Sequence, residues 1–174
     1  SIDGSLAIEA LEKIGKPDVL VGQFEIPMNV NEQVFSYAYK NGVKTVLNPA
    51  PANKPSDILL QNTSWFIPNE IEFEEIYGDI FNENNLLLFA KNVDTNVVVT
   101  LGEKGCAYIK NNSVKIIKAD SVKAIDTNGA GDAFVGAFSF ALASKLDIEE
   151  CLKLALKKAT DSVTKKGTQS SYKN

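Results

Sequence analysis

The sequence predicts an α/β fold, a parallel sheet flanked by helices and carrying a β-hairpin. Three observations predict it. Short apolar β-type runs alternate with helical patterns, the order that builds βα units. The run Val97-Val98-Val99 is β-branched without polar alternation, as in a strand covered on both faces. Asn48, Asn69, Gly102 and Gly129 are each expected just after a strand, and parallel sheets bind ligands at the carboxyl ends of their strands.

The elements follow in order. Leu6, Ile8, Ala10, Leu11 and Ile14 read as a helix already under way, and Ser1 is not an initiator methionine, so the chain is expected to be a fragment of something longer. Val19-Leu20-Val21 reads as a strand, followed by a helix near Asn31 to Asn41. Thr45-Val46-Leu47 is the next strand and ends at the loop Asn48-Pro49-Ala50-Pro51-Ala52. A short helix near Asp57 precedes the strand Trp65-Phe66-Ile67, stopped by Pro68; Asn69 then opens an acidic helix, and another helix runs through Leu86 to Ala90. Cys106 to Ile109 and Val114 to Ile117 flank Asn111-Asn112, a hairpin signal. In the next helix Ala130, Ala133, Phe134, Ala137, Phe138, Ala141 and Leu142 recur at helical spacing, so both phenylalanines are expected in a core. A last helix covers about Ile148 to Val163. Residues 1–174 are expected to form one domain, with no internal repeat or linker.

Composition narrows the function. A net charge of −4 over 174 residues argues against non-specific binding to nucleic acid or to an anionic membrane. No apolar run is long enough to span a bilayer and no signal-peptide pattern opens the chain, so a cytoplasmic location is expected. Cys106 and Cys151 lack metal-ligand spacing and read as two buried or half-buried free thiols in a reducing compartment. With no histidine in the chain, any general base is most simply a carboxylate.

The stretch Asp126-Thr127-Asn128-Gly129-Ala130-Gly131-Asp132 supplies such a carboxylate. It sets small residues and an acid where an apolar helix begins. Helix N-termini carry unpaired N–H groups and the positive end of the dipole, and so attract anions. Gly129 and Gly131 would let a phosphate approach the backbone, with Asp132 beside it to accept a proton. An anion cradle touching a base is what phosphoryl transfer to an alcohol needs. The same pattern also suits an ordinary loop-to-helix turn with an acid in its first turn. Asn69 and Glu72 have the spacing of a capping box, the acids from Glu70 to Glu75 that of a solvated face, and Gly102 and Gly105 alone would be turn glycines.

Taken together, the motifs resemble the ribokinase-like (PfkB) carbohydrate kinases. Asp126 to Asp132 is similar to the family's second signature, Asn48-Pro-Ala-Pro-Ala52 to a family loop, Pro68-Asn69-Glu70-Ile71-Glu72 to its PNExE segment, Thr100-Leu101-Gly102-Glu103-Lys104-Gly105 to its nucleotide loop, and Ser162 to Ser171 to its tail. The resemblance covers essentially the whole chain. It implies a ribokinase-like fold, seen here in its C-terminal nucleotide-binding portion, with the N-terminal half and the lid missing. It also implies ATP-dependent phosphorylation of a sugar's primary hydroxyl, first of all ribose to ribose 5-phosphate, with fructose, adenosine or deoxyribose as alternatives. The 174-residue chain itself is expected to be an inactive nucleotide-binding fragment. The whole enzyme is expected to form a homodimer through the lid.

Carried over by position, Asp132 is the implied base. Gly129, Ala130 and Gly131 form the anion hole, and Glu25 is a sugar contact. Asn69 and Thr100 to Gly105 are ATP contacts, and Glu72 helps to place Mg2+ through water. Asp126, Asn128, Ser162, Lys165, Gly167 and Ser171 match the family's monovalent-cation site, which suits K+; Asp126 alone supplies formal negative charge, and Asn128, Ser162, Lys165 and Gly167 would act through backbone carbonyls. Leu156 departs from the family, which often has a polar nucleotide contact there.

Overall fold

A computed structural model describes residues 3–123 and 125–164. The chain divides into two compact units. The first takes the described residues up to Val99 together with Tyr108–Val114, and the second takes Thr100–Ala107 and the described residues from Lys115 onward.

The order of elements is the alternation the sequence predicts: α1 (Gly4–Ile14), β1 (Val19–Gly22), α2 (Met28–Lys40), β2 (Lys44–Leu47), α3 (Asp57–Gln61), β3 (Trp65–Phe66), α4 (Glu70–Tyr77), α5 (Glu83–Val93), β4 (Asn96–Thr100), β5 (Cys106–Lys110), β6 (Ser113–Ile117), α6 (Ala130–Ala143) and α7 (Ile148–Val163). The strands lie in a mixed six-stranded sheet in sequence order. β1, β2, β3 and β4 run parallel, with Gly22 beside Leu47, Leu47 beside Phe66, and Phe66 beside Val97. Each helix between two of these strands returns the chain to the same sheet edge, so the loops after β1, β2 and β3 emerge side by side.

The core of the first unit follows from its apolar strands. Val46, Leu47, Phe66, Val98 and Val99 are fully buried. Phe73 of α4 fills the space under α5, its ring 5.5 Å from Phe89 and 5.7 Å from Phe81. Helix starts are set by side chains: Ser56 caps α3, Asn82 caps α5, and Asn69 with Glu72 forms a complete capping box on α4. A pocket of about 230 Å³, lined in part by Lys16, Pro17, Tyr37 and Val43, lies where the chain enters β1 and β2, at the strand ends opposite to those loops.

In the second unit α6 packs along α7. Phe134 and Phe138 are buried and stacked, with centroids 6.5 Å apart, as core residues on one helix face. The hairpin signal is also met: Asn111 and Asn112 have φ of 53° and 56°, the left-handed pair that a tight hairpin turn demands. One expectation fails. Gly129 does not follow a strand, because β6 ends at Ile117 and 118–123 form no regular element. The segment Lys118-Ala119-Asp120-Ser121-Val122-Lys123 has two apolar residues, Ala119 and Val122, and their odd spacing would put them on opposite faces of an extended chain.

Candidate functional site

The first unit carries its candidate residues at the carboxyl ends of three adjacent parallel strands. Glu25 is exposed in the turn after β1, Asn48 closes β2, and Asn69 follows β3 by way of Ile67 and Pro68. The loops are tied together by buried amides. Asn48 is 8% exposed; its Oδ1 accepts from Gln23 Nε2 at 2.8 Å, and its Nδ2 donates to the Ile67 carbonyl at 2.9 Å. Asn31 of α2, 2% exposed, donates through Nδ2 to the Gln23 carbonyl at 2.8 Å. The Phe24 N–H donates to the Ala50 carbonyl at 2.8 Å, just before the cis Ala50–Pro51 bond. Gly22 is required here by crowding, since a Cβ would lie 2.5 Å from the Phe35 ring and 2.8 Å from Asn31 Oδ1.

Asn69 and Glu72 bond each other reciprocally at 2.8 Å through side chain and backbone, so the capping role is realised. Asn69 remains exposed, whereas Glu72 is buried. Burial lifts the Glu72 carboxyl above its usual range; the N–H of Asn69 pulls it down, and the neighbouring Glu75 charge pushes it up further.

In the second unit Thr100 ends β4, and the loop behind it is closed by its own backbone. The Leu101 N–H bonds the Gly105 carbonyl at 2.8 Å, around a turn of 3-10 helix at Gly102–Lys104. Leu101 and Gly105 are buried and shape the loop, while Gly102, Glu103 and Lys104 form its exposed tip. At Gly105 only glycine fits: φ is 106°, and an added Cβ would collide with the Ile117 carbonyl.

The segment leading into α6 is built from backbone. Asp126 Oδ1 accepts from the Asn128 N–H at 3.0 Å, an Asx turn that bends the chain toward Gly129. Gly129 takes φ 79° as N-cap, and α6 begins at Ala130 with Gly131 and Asp132 in its first turn. Among the described residues no side chain caps this helix. Gly131 and Asp132 are exposed, and among the described residues a Cβ at Gly131 would meet no heavy atom within 4 Å outside its own helix backbone and chain neighbours. The far end of α7 is joined to this segment by one carbonyl: Val163 O accepts from Ile125 N at 2.7 Å and from Asp126 N at 3.2 Å. Ser162 is buried, and its Oγ donates to the Ala159 carbonyl at 2.7 Å. Lys165, Gly167 and Ser171 lie outside the described residues. Among the described residues no group of three or more acidic or cysteine side chains gathers in a metal cluster. Leu156 is buried in α7 with 7% exposure.

Both thiols are free and buried. Burial pushes Cys106 up to about 12 and raises Cys151 as well, the latter with help from the Asp147 charge. Two contributors escape sequence reasoning. Val163 acts through its backbone and leaves no side-chain signal. Asn31 was detectable in principle, because it shares a helical face with Val34, Phe35 and Ala38, and a polar residue there must be hydrogen-bonded.

Residues 9–174 match the family model described as pfkB family carbohydrate kinase. The chain belongs to this family. It is 41% identical over 165 residues to the ribokinase of Haemophilus influenzae, covering 91% of this chain and 54% of that protein. It is 36% identical over 169 residues to the deoxyribokinase of Salmonella typhimurium, covering 94% of this chain and 55% of that protein. In structure it is similar to the ribokinase of Arabidopsis thaliana complexed with ribose and ATP, with a TM-score of 0.82 at 28% identity, covering 88% of this chain and 52% of that one. The chain therefore spans about half the length of the curated relatives it matches. Among the described residues no helix is long and apolar enough to cross a membrane.

Proposed function

We propose that this chain is the nucleotide-binding portion of an ATP-dependent kinase that phosphorylates a sugar's primary hydroxyl, D-ribose to ribose 5-phosphate in the first instance. One observation carries the proposal: the left-handed Gly129 turns directly into α6, with Ala130, Gly131 and the exposed Asp132 in the first turn and no side-chain cap among the described residues. Negative charge spreads over the equatorial oxygens of a phosphoryl group in flight. N–H donors fixed at a helix start stabilise that charge where it develops. Asp132 takes the proton from the sugar hydroxyl as its oxygen attacks. The open space at Gly131 leaves room for the phosphate to come close to the backbone.

The other residues have supporting roles. Glu25 contacts the acceptor sugar, Asn69 and the exposed tip Gly102–Lys104 contact the nucleotide, and Thr100 borders it. Mg2+ would enter with ATP and neutralise phosphate charge, with Glu72 acting through water. K+ would sit against Asp126, Asn128, Ser162, Lys165, Gly167 and Ser171. The Val163 carbonyl supports that assignment, because it links the end of α7 to the backbone of Asp126. A cation shared by these two segments would stiffen the lead-in to Gly129.

Similarity to ribokinases favours ribose, and similarity to a deoxyribokinase keeps deoxyribose as the second reading. Phosphorylation assays of the whole protein on ribose, deoxyribose, fructose and adenosine separate them. Ribose is expected to have the highest kcat/KM, and no turnover on any of the four would refute the kinase assignment. We further propose that the 174-residue chain alone is inactive, that the whole enzyme dimerises through the lid, that it binds neither nucleic acid nor membrane, and that it works in the cytoplasm.

A further inference from the structure

We propose that Asn48 is a positioning residue that sets the spacing between the acceptor-contacting loop after β1 and the nucleotide-contacting loop after β3; this rests on the roles assigned above to Glu25 and Asn69. Parallel strands are held by their ladder only as far as the last paired residue, here Gly22 beside Leu47 and Leu47 beside Phe66. Beyond that point only single backbone bonds remain, such as Phe24 N–H to the Ala50 carbonyl, and the side chain of Asn48 adds links to both neighbours at once. Asn48 stands at the end of the middle strand and grips both neighbours. Toward β1 its N–H donates to the Gly22 carbonyl at 3.0 Å and its Oδ1 accepts from Gln23. Toward β3 its Nδ2 donates to the Ile67 carbonyl. Glu25 lies two residues beyond the first grip and Asn69 two beyond the second.

The chemistry of the link requires an amide. Position 48 must accept on one side and donate on the other, which a carboxylate or an aliphatic chain cannot do. Rotating the amide by half a turn would oppose donor to donor and acceptor to acceptor, so the orientation is fixed by its partners. Asn48 itself and its bond to Ile67 are buried and the Gln23 bond is half-buried, where a hydrogen bond is less weakened by water and an orphaned partner costs more. Asn31 anchors the Gln23 carbonyl from α2, so the β1 grip cannot relax by moving Gln23.

The test uses two variants of the whole protein and two readouts. Gln23→Met removes the donor of the grip on β1 and leaves the grip on β3, with little change of volume, and Asn48→Ala removes both side-chain grips. Asn48→Ala is expected to raise the KM for sugar and the KM for ATP, each by about tenfold. Gln23→Met is expected to raise the sugar KM by a similar factor and leave the ATP KM within about twofold. A residue that merely stabilises the fold would lower Tm without this split. Amide hydrogen exchange, which needs no substrate, is expected to accelerate in 23–27 and 67–70 together in Asn48→Ala, and in 23–27 alone in Gln23→Met. Unchanged exchange in both loops, or unchanged KM values alongside a lowered Tm, would overturn the proposal. If Asn48→Ala does not fold, Gln23→Met decides by the same two criteria. Wild-type protein that phosphorylates no sugar would refute the kinase assignment, and the exchange pattern would then decide whether Asn48 couples the loops.

Discussion

The two candidate regions are built in opposite ways. After β1, β2 and β3 the loops are held by side chains: Gln23, Asn31 and Asn48 cross-link them, and Asn69 and Glu72 lock each other. Before α6 the chain is shaped by backbone: an Asx turn at Asp126, a left-handed Gly129, and N–H bonds from Ile125 and Asp126 to one carbonyl of α7. Recognition of a sugar or a base needs side chains held in register. Stabilising a migrating phosphoryl group needs a dense patch of N–H dipoles with no side chain in the way. The difference teaches where each kind of substitution will hurt: polar-to-apolar changes in the first region, added bulk in the second.

The largest expected effect is at Asp132. In the whole protein Asp132→Asn should lower kcat by about a thousandfold or more while the Kd for ATP changes little. Steady-state kinetics with equilibrium nucleotide binding checks both halves, and retained turnover would remove Asp132 from its role. Next comes Gly105, whose left-handed φ and contact with the Ile117 carbonyl leave no room for a methyl group. Gly105→Ala should cost about 3 kcal/mol or more in urea unfolding. Gly131→Ala sharpens the contrast. It meets no steric obstacle among the described residues, so stability should hold or rise by about 0.5–1 kcal/mol. The new methyl group would occupy space assigned to the phosphate, so kcat/KM for ATP should fall at least about tenfold. A stable variant with full activity would place the phosphate elsewhere.

The smallest effect concerns Glu72. Burial raises its carboxyl above the usual range, so the folded protein holds that proton more tightly than the unfolded chain. Its contribution to stability is therefore fully present below the ordinary glutamate range and is lost as pH rises through the raised value. Glu72→Gln keeps an acceptor for the Asn69 N–H without the charge. Urea denaturation across a pH series should show the variant gaining on the wild type through that window, and a pH-independent difference would contradict the burial argument.

Local patterns were legible in the sequence and tertiary ones were not. Asn111-Asn112 announced its turn, Asn69 and Glu72 their cap, and Val97 to Val99 a buried strand, because each depends on neighbours in the chain. Asp132 stood out because the chemistry needs an acid beside glycines. The amide link through Asn48 joins residues far apart in sequence, and Val163 contributes only a carbonyl, so neither could be read in advance. Gly129 was misplaced after a strand because a glycine-rich start of a helix looks the same whether a strand or an irregular segment precedes it.

The central claim is that the start of α6 grips the phosphoryl group that Asp132 helps to transfer. A crystal structure of the whole protein with a non-hydrolysable ATP analogue tests it most directly. The account predicts the terminal phosphate within hydrogen-bonding distance of the N–H groups of Gly129 to Gly131, with the Asp132 carboxylate facing it. A terminal phosphate bound away from that helix start, out of reach of Asp132, would contradict it.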